Sequence, residues 1–375
     1  MNKNHEPLFH IVKRSDITLK KAILIRGIAL LSGLVSICLL MLIFTGANPF
    51  AVIGQLFSGA FGTQRRFWIL LRDSCLLLGV GLALVPAFKM KFWNLGGNGQ
   101  ILIGSLVSII CMKYMGEAGV SDPIIILVMI PSSIIAGAIW ALIPAIFKAF
   151  FNTNESLFTL MMNYIAAGIV SFFLAVAVTS GSGTLPTLST GNLPNLGNQY
   201  LLTIIVVILL LVIMTIYLKY TKQGYELTVV GESQNTARYV GINVKIVIIR
   251  TMVISGAICG LIGLLLAGSI NHTVNTESAK NMGFTAIMVA WLAKFNPLIM
   301  IATSLFITFL TRGMSQVQTA FGITNNSISD IIIGLVYFFI IGCEFFIQYQ
   351  VIFIKKQKKK NCKKRRVSNN DDDII

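Results

Sequence analysis

The sequence predicts an all-α integral membrane protein of about ten transmembrane helices, built as two halves of inverted topology. Three observations carry that expectation. Apolar residues make up 55% of the 375-residue chain and charged residues only 12%, about half the charged share of a soluble domain. The apolar residues fall in runs matched to the roughly 20 residues a helix needs to cross the hydrocarbon core. The basic residues gather at the chain ends and in alternate loops, as orientation signals do. A surface so poor in charge has to be covered by lipid.

Taken in order, the runs read as spans at 24–44, 68–88, 92–112, 124–148, 157–178, 200–218, 248–270, 283–294, 297–311 and 330–354. The first ends in Thr-Gly-Ala-Asn-Pro without a cleavage-site pattern, so it reads as a retained span. The eighth is short and reads as a re-entrant or broken helix, tolerated only where protein or a cavity surrounds it. The expected organisation is a cytoplasmic segment over 1–23, a transmembrane domain over 24–354 and a basic cytoplasmic tail over 355–375.

Charge orients the set. With the N-terminus cytoplasmic, 24 of the 30 Lys and Arg residues fall inside, and six fall outside: Arg65, Arg66, Arg72, Lys113, Lys280 and Arg312. That bias puts both termini in the cytoplasm. A net charge of +16 would otherwise raise nucleic-acid binding, but its segregation between spans argues against a nucleic-acid partner. The tail from Lys355 to Arg366 reads as an anchor for the last helix. The uncharged, Gly- and Pro-rich loop at 179–199 reads as an irregular outer segment. The longest polar stretch, the loop at 219–247, is cytoplasmic. Within it, Ser233 to Val240 reads as a short helix closed by Gly241.

Several chemistries are absent. The six cysteines, Cys38, Cys75, Cys111, Cys259, Cys343 and Cys362, show no Cys-x-x-Cys spacing, so neither a disulfide framework nor a metal site is expected. No Gly-Lys dipeptide occurs, which excludes a Walker A loop. No metalloprotease or other catalytic constellation is present, and no cofactor is implied. The acidic residues Asp73, Glu155, Asp330 and Glu344 read as lying near span ends, and no histidine lies mid-span. A proton relay is thus poorly supported. An ion-coupled carrier or facilitator is the alternative reading. Otherwise the energy comes from another chain.

Inverted repeats place interrupted segments at corresponding positions of the two halves. The two interrupted members here begin at Phe92 and Gly283, which points to 94–100 and 283–297 as the gate region. Asn94-Leu95-Gly96-Gly97-Asn98-Gly99-Gln100 sets three glycines and three amides at the mouth of an apolar run. The amides suit a neutral polar ligand and equally suit hydrogen-bonded glue between close-packed helices.

Four stretches resemble one family. They are Asn94 to Gln100; Asn154-Glu155 through Leu160-Met161-Met162-Asn163-Tyr164; Gly231-Glu232-Ser233 through Gly241-Ile242 into Ser255-Gly256-Ala257; and Gly283 to Ile287 through Asn296-Pro297. In order and spacing the chain resembles the permeases of bacterial nucleoside and simple-sugar ABC importers, of the branched-chain-amino-acid type. The resemblance implies a type II importer fold. It implies a solute path along Asn94, Gly96, Gly97, Asn98, Gly99, Gln100, Asn163 and Thr285. It also implies a coupling loop with Gly231, Glu232, Ser233, Asn235, Ala237 and Gly241. The implied partners are cytoplasmic ATPase subunits, a second permease chain and an extracellular solute-binding lipoprotein. The implied setting is the bacterial plasma membrane, with a nucleoside or sugar-like solute. The chain departs from the family's pattern at Asn98, where Glu is usual, at Thr285, where Asp is common, and at Thr228-Val229-Val230, where Arg-Ala-Val is usual.

Overall fold

The computed structural model describes residues 9–13, 18–178, 184–323 and 326–353. These are overwhelmingly helical. The chain forms two compact units, one of residues 38–333 and one of the end segments 1–37 and 334–375. In the smaller unit, β1 (Phe9–Lys13) pairs antiparallel with β2 (Tyr349–Phe353), and Gly33 lies against the Val336 side chain. The basic tail from Lys355 lies outside the described residues.

Helix α1 (Leu19–Thr45) begins five residues earlier than the first expected span, and a short helix not anticipated from the sequence follows, α2 (Pro49–Phe61). Its 13 residues are too few to cross. The element is well specified locally: Asn48 caps it through Phe50 N–H at 3.0 Å, Pro49 takes the first position, and Val52, Leu56 and Ala60 form a buried stripe.

The larger unit continues with α3 (Gln64–Lys89), α4 (Gly97–Glu117), α5 (Asp122–Phe151), α6 (Glu155–Ala177) and α7 (Leu201–Tyr220). Two short helices of the polar loop come next, α8 (Lys222–Glu232) and α9 (Gln234–Tyr239). Then follow α10 (Val244–Leu266), which ends in a π turn over Ala267–Asn271, α11 (Met282–Leu292), α12 (Pro297–Ala320) and α13 (Asn326–Gln348). Among the described residues, eight helices are long and apolar enough to cross a membrane. Helix α11 has 11 residues, about 16 Å of rise, so the eighth run is a broken element and not a full crossing. Helix α12 runs nine residues past the expected end at 311. Arg312 had marked that end as a charge, but its charge is matched inside the fold and the helix continues.

The halves pack reciprocally. Helix α3 packs on α11 and α12 of the second half, while α10 packs on α4 and α5 of the first. The most extensive helix pair is α5 with α10. A Cβ on Gly137 would strike the Gly256 carbonyl, and one on Gly256 the Gly137 carbonyl. Small residues let the backbones approach in this way, and dispersion then substitutes for a hydrophobic drive that lipid cannot supply. At one end of the bundle the loop over 184–199 closes across α4, α5 and α10. Leu193 N–H donates to the Gly268 carbonyl at 2.9 Å, Leu188 N–H to His272 at 2.8 Å, and Gly191 N–H to the Asp122 carboxylate at 2.9 Å.

Candidate functional site

Each half has a break, and the two breaks share local chemistry. Helix α3 ends at Lys89. Lys91 takes a left-handed φ of 59°, and Phe92 N–H returns to the Ala87 carbonyl at 2.9 Å. After α11, Lys294 and Phe295 take φ of 50° and 58°, and Phe295 N–H returns to Ala290 at 2.9 Å. The two Lys-Phe turns lie side by side: Phe88 stacks on Phe295 with centroids 6.0 Å apart, and Trp93 meets Trp291 at 5.3 Å.

From the first break the chain crosses to α4 through an amide-bonded loop. Asn94 is fully buried. Its carbonyl oxygen accepts from Gly96 N–H at 3.0 Å, and its amide donates to Ser255 on α10 at 3.2 Å. Asn163 on α6 clamps both ends of the loop, donating to the Leu95 carbonyl at 2.8 Å and accepting from Gly99 N–H at 2.7 Å. Leu95 N–H reaches Thr159 at 3.1 Å. Gln100 donates to Asn94 at 3.4 Å, and its own carbonyl oxygen is buried with no hydrogen-bond partner among the described residues.

Asn98 makes the contact that joins the starts of α4 and α11. Its carbonyl oxygen accepts from Gly283 N–H at 2.7 Å, and its amide lies 3.4 Å from the Asn281 carbonyl oxygen. Helix α11 has no side-chain cap of its own, so Asn98 supplies the missing acceptor from another helix. The backbones close in here, since a Cβ on Gly97 would sit 3.3 Å from Gly283 Cα. The N-termini of the two interrupted helices therefore meet, and both present the positive end of the helix dipole. Of the expected gate segments, 94–100 meets 281–283 at this joint, whereas 293–297 lies at the far end of α11 with the aromatic turns.

Thr285 lies one turn into α11 and lines a separate cavity, with Arg72, Asp73, Lys280 and Arg312. Asp73 sits nine residues into α3 and not near its end. It accepts from Arg72 Nε at 2.9 Å and from Arg312 Nε at 2.6 Å. Sequence reasoning missed this cluster, because its members stand on three segments that only the fold unites.

The polar loop contains more helix than expected. In α9, Ser233 accepts from Thr236 N–H at 3.3 Å as N-cap, and Gly241, with φ of 84°, closes the end while Ile242 N–H bonds to Ala237 at 2.9 Å. Ala237 is fully buried, and Tyr239 is 95% exposed. Helix α8 carries Gly231 against the end of α3, where a Cβ would run into the Lys89 carbonyl. The loop thus touches the backbone that leads into the Asn94 turn.

The model of the family described as branched-chain amino acid transport system / permease component matches residues 66–341. The chain belongs to this family. The permease is similar to a nucleoside ABC transporter permease of Lactococcus lactis, 28% identical over 88% of this chain and 93% of the relative. It is similar to a guanosine ABC transporter permease of Bacillus subtilis, 27% identical over 85% of this chain and 92% of the relative. A glucose ABC transporter permease of Haloferax volcanii is 27% identical over 83% of this chain and 85% of the relative. No solved structure matches it. As an ABC permease it is a multi-pass membrane protein and not itself a catalyst. It works with a solute-binding protein and with an ATPase on a separate subunit.

Proposed function

We propose that this permease carries a nucleoside, or a sugar-like solute of similar polarity, inward across the bacterial plasma membrane by alternating access. Both termini are cytoplasmic in this reading, as the basic residues of the inner loops require. The observation that carries the reading is the joint between α4 and α11, built from neutral amides and helix N-termini with no carboxylate in it. That chemistry matches hydroxyls and heterocycle edges, and relatives bear the names of guanosine, nucleoside and glucose permeases.

The mechanism follows from the connections. ATPase closure pushes on α9, whose exposed Tyr239 and Val240 offer the apolar contact. Asn235 and Glu232 lie beside them on the same loop. Movement passes through Gly231 to the Lys89 carbonyl and so to the Phe92–Gly96 turn. When α4 and α11 part, the Asn98 amide becomes available to solute or water, on the same stretch as the unpartnered Gln100 carbonyl oxygen and the Asn94 amide. Gly96, Gly97, Gly99 and Asn163 shape the path, and Thr285, which the resemblance places on it, faces the separate cavity instead. ATP drives the change only because the partner binds the two states differently. A second permease chain, of the same or another sequence, and a lipoprotein receptor complete the importer.

Uptake of labelled guanosine and glucose into cells expressing the full importer tests the solute. Saturable guanosine uptake that excess unlabelled nucleoside abolishes is expected. Glucose uptake without nucleoside uptake would move the solute to a hexose and leave the permease assignment standing.

A further inference from the structure

Positive charge is disfavoured on the outer side of a membrane protein, yet three of the six outer basic residues share one cavity. Arg72, Lys280 and Arg312 line a space of about 210 Å³ with Asp73, Thr285 and Thr308. Asp73 is the one carboxylate in the lining and is bonded to both arginines, so the wall carries a net charge of +2. Tyr200 holds the Arg72 guanidinium from outside, 5.4 Å from its ring centroid. The Lys280 ammonium feels Arg312, Asp73 and Arg72 but makes no ion pair or hydrogen bond among the described residues. Excess charge at membrane depth is costly and persists where it has a task. Fixed guanidinium forks match the oxygens of phosphate and carboxylate.

The geometry points to a binding site for a phosphate- or carboxylate-bearing group, set between the outer part of α3, the start of α11 and the outer part of α12. The cavity is smaller than the roughly 300 Å³ at which pockets for drug-sized ligands begin, so it takes an anionic group and not a whole nucleotide. The group belongs either to a free anion or to a phospholipid head. The site does not rest on the identity of the transported solute, and its test involves no transport.

The experiment uses the full chain, purified in a neutral maltoside detergent at constant ionic strength. Thermal unfolding is followed by intrinsic fluorescence against inorganic phosphate and against short-chain phosphatidylglycerol. A saturable rise in the unfolding midpoint is expected with at least one of them and not with chloride. Saturation by phosphate assigns a free anion, and saturation by the lipid alone assigns a headgroup. Lys280→Gln should weaken the apparent affinity about tenfold, the size of one charge-assisted hydrogen bond, with the anion-free midpoint unchanged. Lys280→Arg should retain binding. Should Lys280→Gln not fold, Thr285→Leu, which fills the cavity without removing charge, must abolish saturation. No saturable shift with either probe, an equal effect of chloride, or wild-type affinity in the folded Lys280→Gln or Thr285→Leu protein overturns the site.

Discussion

Replacing Asn98 by alanine isolates the joint between the two halves. The change removes the acceptor that Gly283 N–H reaches at 2.7 Å, and Gly283 is buried. A buried donor left without a partner costs about 1–3 kcal/mol. The second contact, at 3.4 Å to Asn281, is long and adds little. If α4 and α11 meet in one state of the gate and part in the other, that cost falls on the joined state alone. The equilibrium then shifts by about 5- to 150-fold. Uptake by the Asn98→Ala importer should fall by at least about fivefold on the same grounds, while basal ATP hydrolysis persists, because the ATPase contact we propose is on α9, away from the joint.

Asn98→Asp keeps an oxygen aimed at the N-terminus of α11, where negative charge is favourable, and should lie closer to wild type than alanine. The assay is uptake of labelled guanosine in membrane vesicles, normalised to folded permease measured by fluorescence-detected gel filtration. Wild-type uptake and hydrolysis in Asn98→Ala would refute the reasoning. A loss of uptake that merely tracks the loss of folded protein would reduce the joint to packing.

Two further outcomes follow. Gly241 holds φ of 84° at the end of α9, which proline cannot adopt, so Gly241→Pro should abolish uptake and solute-stimulated ATP hydrolysis while the protein still inserts at normal level; intact coupling would make the loop an ordinary connector. Single cysteines at Asn192 and Ser233, on a cysteine-free background, should differ on intact cells, with an impermeant thiol reagent labelling position 192 and sparing 233; equal labelling of both would end the N-inside topology.

The long apolar runs, the broken eighth element and the capped turn at Ser233–Gly241 were all legible, because each is a local property of consecutive residues. Helix α2 was not, since its 13 residues never reach crossing length and its apolar stripe is only three residues wide. Helix α8 was hidden by Gly224 and Gly231, which weaken helix propensity. Both glycines are there for contact: a Cβ at either would strike a backbone carbonyl, of Tyr217 or of Lys89. The ionic cluster failed for a different reason. Asp73 and Arg312 stand 239 residues apart, and in a sequence Asp73 reads as a charge near a span end and Arg312 as a charge just past one. Once paired, Arg312 ends nothing, and α12 continues past it to Ala320. The amides of Asn94, Asn98 and Gln100 mark the limit most clearly. Their residue types told of donors and acceptors in an apolar run, and a solute or a neighbouring helix would satisfy that requirement equally. Only the partner atoms separate the two. For Asn94 and Asn98 those atoms are Ser255, Gly283 and Asn281 on other elements of the same chain, so in this state these two amides tie the start of α4 to α10 and α11, while Gln100 bonds only to Asn94. If the joint is the gate proposed above, one set of groups serves both tasks, because the bonds that close it are the ones a hydroxyl-bearing solute would replace when it opens.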